Sequence, residues 1–165
     1  MSDLYLKSGA TFSDCGQYRY HLWRQWNEEA FVMAFIMLNP STADANEDDP
    51  TIRRCIGFAK REGAGSISVR NVFSLRATDP KELAKHADPV GPNNYYWLTG
   101  RVVPLSKIVV AWGAMIKNPR LRDGYLIARA AVRCAAYCLG TTKSGDPRHP
   151  LYLPANAPLI SWKPV

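Results

Sequence analysis

The feature that most limits how this chain can fold is an apolar run at residues 31–38, closed at once by Asn39, Pro40 and Ser41. The run is short for a buried helix and leaves no face for water. It therefore reads as a strand covered on both sides, as the strands of a parallel sheet are. Residues 66–73, 107–112 and 135–139 read as three more covered strands, and helical segments fall between them. Asp49, Pro50 and Thr51 open the first helix, with Asp as N-cap and Pro at the first helical position. Ile52, Cys55, Ile56 and Ala59 then form one apolar face, Arg53, Arg54, Lys60 and Arg61 face outward, and Gly63 is placed to end the helix. Residues 80–86, 93–103 and 120–133 supply further helices, and residues 18–26 alternate as a half-buried edge or outer strand does.

This order predicts an α/β fold of three layers, α/β/α. Its central, mostly parallel sheet has about four strands, with an N-terminal edge strand or hairpin beside them. Residues 141–165 carry Pro147, Pro150, Pro154, Pro158 and Pro164 and are expected to run as an ordered loop over the surface. No repeat or linker divides the chain, so one domain over residues 1–165 is expected.

With 165 residues, 47% of them hydrophobic, the chain can bury one proper core. No run of about eighteen apolar residues occurs, and the N-terminus lacks the basic and apolar regions of a signal peptide. A cytoplasmic protein without a membrane partner is expected. Cys15, Cys55, Cys134 and Cys138 show no CxxC spacing, and Cys55 falls on the apolar helix face, so they read as structural thiols. Lys and Arg number 21 against 14 Asp and Glu, a formal charge of +7 that favours polyanionic partners. The arginines are spread along the chain, from Arg53 and Arg54 through Arg70, Arg76, Arg101, Arg120, Arg122, Arg129 and Arg133 to Arg148. That spacing suggests a charged surface around a site rather than a basic tail.

Ligands of open α/β sheets bind beyond the carboxyl ends of the strands, so the residues after each apolar run carry most weight. After the first come Asn39, Ser41, Thr42 and Asp44, then the further acids Glu47, Asp48 and Asp49. An Asn there can orient water or read a base edge, and Asp49 also serves as a helix cap. Asn71, Phe73 and Arg76 follow the second strand, and Trp112 and Gly113 the third. Phe73 and Trp112 are candidates for stacking on a base. Lys143, Gly145, Arg148 and His149 form a loop suited to holding phosphate, and His149 is a candidate acid or stabiliser of negative charge. His21, on a strand, and His86, at a helix end, read as structural or exposed. There is no Walker A, GxGxxG, GxSxG or HExxH motif, which removes support for common nucleotide hydrolases, dinucleotide enzymes, serine esterases and zincins. No cofactor and no metal site is expected.

With these residues in view, the chain resembles a bacterial and phage family catalogued as domain of unknown function 1643. Phe12 to Cys15 with Tyr18 to Tyr20, Met37 to Asp44 and Asp49 to Cys55 carry the resemblance. So do Asn71 to Phe73 with Arg76 to Pro80, Ala111 to Gly113 and Gly145 to Tyr152. More distantly, the layout is similar to the uracil-DNA glycosylase superfamily. There a polar loop after the first strand positions water, and a His-Pro loop near the C-terminus enters the DNA minor groove. Leu38, Asn39, Pro40 and Ser41 are similar to the first motif, Asn71 to a strand-end Asn, residues 109–113 to the apolar strand ending in Gly, and His149 with Pro150 to the second motif. Leu151 stands where Ser is usual, and the acidic run after the first loop departs from the pattern.

The resemblance implies a nucleic-acid or nucleotide partner and an enzyme acting on a base, an N-glycosylase-like hydrolase or another base-modifying enzyme. Asn39 would orient water, and His149 would stabilise the departing base. Asp44 is a further catalytic candidate. Two other classes stay open. One is an enzyme acting on a small nucleotide or nucleoside, with Arg53, Arg54 and Lys143 on phosphate and Asp44 or Asp48 as acid, base or metal ligand. The other is a non-catalytic nucleic-acid binding module.

Overall fold

The structure is a computed structural model and describes residues 5–100, 106–132 and 135–163. The covered strands form where the apolar runs predict. They are β3 (Val32–Met37), β4 (Ser66–Asn71), β5 (Lys107–Val110) and β6 (Ala136–Cys138), side by side and parallel in the order β4-β3-β5-β6. Period-two side-chain alternation divides β3 between two cores. Met33, Phe35 and Met37 pack with Ile52, Cys55, Ile56 and Phe58 of α1 (Pro50–Arg61). Ala34 and Ile36 join Ile108, Val110 and Cys138 in the other core, with Leu98 of α2 (Asn94–Thr99) and Tyr125 and Ala128 of α3 (Arg122–Ala131). Each fully buried large apolar side chain contributes roughly 1.5–3 kcal/mol, so a strand packed on both faces is held more firmly than its six residues suggest.

The sheet is larger than predicted. Seven strands lie in the order β1-β2-β4-β3-β5-β6-β7. The expected N-terminal hairpin is β1 (Lys7–Phe12) with β2 (Arg19–Gln25), and β2 pairs antiparallel with β4. The additional strand is β7 (Ile160–Trp162), antiparallel to β6, so the proline-rich C-terminal segment is not loop throughout. Pro158 and Pro164 bracket a stretch that still carries every backbone N–H a short edge strand needs. Trp162 anchors it, meeting Trp112 edge-on with ring centroids 5.5 Å apart.

The strands also end earlier than their apolar runs. Val72, Phe73 and Ala111 lie past the strand ends but still donate their N–H groups to the Met37, Leu38 and Ile36 carbonyls, while Trp112 and Leu139 are buried beyond the pairing, because an apolar run reports burial and not backbone pairing. The helix at α1 agrees with its signals: the Asp49 side chain accepts from the Ile52 N–H at 2.8 Å, and Gly63 takes the left-handed conformation that follows the cap. The segment expected as a helix at 80–86 is a 3₁₀ stretch, Pro80–Lys85. A 3₁₀ turn, Pro119–Leu121, leads into α3. The expected helix ends at residues 101–103 and 133, with Arg101, Arg133 and Cys134, lie outside the described residues. Among the described residues no helix is long and apolar enough to cross a membrane.

Candidate functional site

The carboxyl ends of β3, β4 and β5 open into a cavity of about 620 Å³, within the roughly 300–1,000 Å³ usual for small-molecule sites. Asn39, just beyond β3, stands in its wall. Its Nδ2 donates to the carbonyls of Pro40 (3.0 Å) and Ala77 (2.7 Å), which uses both amide hydrogens and leaves Oδ1 as an acceptor.

Asn71, at the end of β4, is 1% exposed and lines the same cavity, and among the described residues neither its Oδ1 nor its Nδ2 has a hydrogen-bond partner. Its backbone is fixed from behind: Asn94 Nδ2 donates to the carbonyls of Asn71 and Val72, 3.0 Å each. Burying an unsatisfied polar group costs about 1–3 kcal/mol, so this amide at the cavity wall is available to whatever polar group fills the cavity, water included.

Beyond β5, Trp112 reaches the cavity, and its buried Nε1 has no partner among the described residues. Gly113 adopts φ +80° and donates its N–H to the carbonyl of Pro147 at 2.8 Å, while the Arg148 N–H donates to Gly140 at 3.0 Å. These two bonds fasten the C-terminal loop across the ends of neighbouring strands and bring His149 into the cavity wall. The His149 Nδ1 accepts from the Leu151 N–H at 3.3 Å, which assigns the proton of the neutral ring to Nε2. Burial holds its pKa below the usual histidine value, against the opposing charge of Asp49, so at neutral pH the ring is an uncharged donor.

Residues 19–151 match the family described as "Protein of unknown function (DUF1643)". The chain belongs to that family. No curated protein and no solved structure matches it. The segment matched to DUF1643 begins at Arg19 in β2 and ends at Leu151 after His149, and so contains every cavity residue described above.

In this DUF1643 chain the cavity also gathers Ser41, Thr42 and Asp49, which acts at once as helix cap and cavity wall. Arg76 stands just outside, lining a smaller adjoining cavity of about 290 Å³ with Ser41, Thr42, Ala77 and Thr78. The other residues singled out in the sequence lie elsewhere. Arg53 and Arg54 border a separate groove on α1. There Arg54 donates to the carbonyl of Leu153, and Arg53 to that of Asp48 at 2.5 Å. Phe73 is enclosed in the core, edge-on to Tyr125 at 5.3 Å, and has no face free for a base. Lys143 and Arg148 are exposed and outside the cavity lining. The Asp44 carboxylate turns back on its own loop, accepting from the N–H groups of Asn46 (2.8 Å) and Glu47 (2.9 Å), which hold it below the usual carboxylate range. Asp48 is taken up by Arg24 Nε at 2.8 Å and by the Tyr5 hydroxyl. Among the described residues no group of three or more His, Cys, Asp or Glu could hold a metal ion. Cys55 and Cys138 are buried free thiols, and Cys15 is exposed.

Two cavity residues escaped the sequence reading. Arg19 is 2% exposed, lines the cavity, donates from Nη1 to the Ala43 carbonyl at 2.5 Å, and leaves Nε without a partner among the described residues. Burial pushes its pKa down to about 10, Asp49 opposing and Arg76 reinforcing, so it stays cationic at neutral pH. Strand alternation placed it toward water; loop 43–48 folds over that face. The run of acids at 44–49 was the available signal, since it needs cations nearby. The second is Tyr152, 80% exposed at the cavity mouth with its ring 6.0 Å from that of His149.

Proposed function

We propose that the cavity receives a nucleobase of a nucleotide or nucleic acid, and that the protein hydrolyses the bond joining base to sugar. The observation that carries this reading is Asn71: a buried amide with donor and acceptor both unpaired is complementary to the paired C=O and N–H edge of a base. The parallel order β4-β3-β5-β6, with helices packed on both faces, supports a three-layer fold like that of uracil-DNA glycosylases. In this mechanism the Asn39 Oδ1 accepts a hydrogen bond from water and aims its oxygen at the sugar C1′. As the C1′–N bond breaks, its electron pair stays on the base, and the Nε2–H of neutral His149 stabilises the charge that develops there. Water supplies the new C1′–O bond, and its proton passes to solvent. Exposed Tyr152 and half-buried Leu151, both lining the cavity, would meet the strand from which the base is drawn.

The test is incubation with single- and double-stranded oligonucleotides carrying uracil and other modified bases, followed by alkaline cleavage at abasic sites. The wild type is expected to release at least one base. Asn39→Ala and His149→Ala should each lose at least a hundredfold, and the double variant no more than the worse single, because groups serving one chemical step are not additive. Absence of cleavage across the panel, with no base or nucleoside raising the melting temperature, would overturn the reading.

A further inference from the structure

The main cavity and the smaller one beside it share a wall of Ser41, Thr42, Ala77 and Thr78. On the deep side stands Arg19, and on the outer side Arg76. Neither guanidinium makes an ion pair among the described residues. Arg76 is exposed, rests over the Phe12 ring at 5.0 Å and donates only a long bond, 3.3 Å, to the Gly16 carbonyl. Among the described residues Arg19 has one hydrogen bond for its five N–H groups, although it is as buried as a core residue. Two cations therefore flank a ledge of three hydroxyls, one from each of the adjoining cavities. A buried guanidinium kept without a carboxylate is costly unless something anionic completes it. Among the described residues no acid is bonded to it: Asp44 is spent on its own turn, and Asp49, whose charge partly offsets that of Arg19 across the cavity, caps α1.

We propose that the Ser41, Thr42 and Thr78 ledge between Arg19 and Arg76 is a phosphate subsite, so that the ligand is a phosphorylated nucleoside rather than a free base or nucleoside. The proposal rests on the base-binding reading of the main cavity and gives that ligand a direction. The base lies toward Asn71 and Asp49, and the phosphate lies toward Arg76. A guanidinium donates two parallel hydrogen bonds to phosphoryl oxygens, and hydroxyls complete the set, which is the usual chemistry of such a site. The phosphate is either that of a free mononucleotide or a diester within a strand.

The experiment compares binding of five nucleosides, their 5′-monophosphates, a short oligonucleotide and pyrophosphate alone, by calorimetry and thermal shift. The proteins are the wild type, Arg76→Ala, Arg19→Lys and, as a charge control on α3, Arg122→Ala. For the best base, the monophosphate should bind wild type at least tenfold more tightly than the nucleoside. Arg76→Ala should cut that ratio to threefold or less, Arg19→Lys should reduce it, and Arg122→Ala should leave it in place. Arg76 is exposed, so its variant tests the idea even if the Arg19 variant fails to fold. Equal binding of nucleoside and monophosphate by wild type overturns the subsite and leaves the base-binding reading standing. A ratio that Arg122→Ala lowers as much as Arg76→Ala also overturns the subsite, since bulk charge then accounts for it. Pyrophosphate stabilisation lost in Arg76→Ala, with no nucleoside bound, upholds the subsite and removes the base. Failure of every ligand removes both. Either phosphate source upholds the proposal: a monophosphate as tight as the oligonucleotide assigns the site to free nucleotides, and a tighter oligonucleotide assigns it to a strand.

Discussion

His21 lies between the indoles of Trp23 and Trp97, with ring centroids 5.1 and 5.7 Å away, and its Nε2 is 2.8 Å from the Ser68 hydroxyl. Burial, with the charges of Arg70 and Arg19, depresses its pKa to about 4. The unfolded chain, where the group titrates near 6.5, therefore binds the proton more readily than the folded one. Above pH 6.5 this residue leaves stability unchanged. As pH falls from 6.5 toward 4 the folded state loses up to about 3 kcal/mol through it. His21→Gln cannot take up that proton, so its urea midpoint should fall less than that of wild type between pH 7 and pH 4.5. Parallel falls in the two proteins would sink the assignment. At this scale the sequence was informative about residues that strand ends deliver, and so Asn39, Asn71 and His149 were legible. Arg19 was not. A cation on an alternating strand reads as solvent-facing until the loop that covers it is known.

The loop after β3 shows how one element organises another. Arg24 of β2 is wholly buried and binds it from inside: Nε to Asp48 at 2.8 Å, Nη2 to the carbonyls of Asp44 (2.6 Å) and Glu47 (3.3 Å). The Tyr5 hydroxyl donates to the same Asp48, and burial together with that carboxylate raises its pKa to about 12. The loop thus wraps a buried cation with one carboxylate and two carbonyls, and its first residues, Asn39, Ser41 and Thr42, reach the cavity. Asp48→Ala strands the Arg24 charge and should cost about 3–5 kcal/mol in chemical denaturation, whereas exposed ion pairs contribute about 0–1. A loss below about 1 kcal/mol would show that the clamp does not hold the loop. β3 and β5 were readable because two buried faces demand an apolar residue at nearly every position, whereas β4, with Ile67 and Val69 between Ser66, Ser68 and Arg70, alternates. The three residues of β7 gave no such pattern, since two of them are exposed.

For the molecule as a whole, a charge of +7 and a cavity lined by a buried cation set an expectation for long ligands. Binding to single-stranded DNA should weaken at least tenfold between about 50 and 200 mM salt, because each phosphate neutralised releases counterions. Fluorescence anisotropy with a labelled oligonucleotide measures this, and an affinity indifferent to salt would exclude a polymer as the partner. The family match covers residues 19–151, so β1 and β7, the two outermost strands, both lie beyond it. Each is antiparallel to its neighbour, and together they close off the borders of a sheet that would otherwise end at β2 and β6. An unpaired border is an invitation to foreign strands. The β7 border offers three residues framed by prolines, too short a template for much recruitment, while β1 offers six. Strand exchange or aggregation of this protein, where it occurs, should therefore begin at β1, the longer of the two borders.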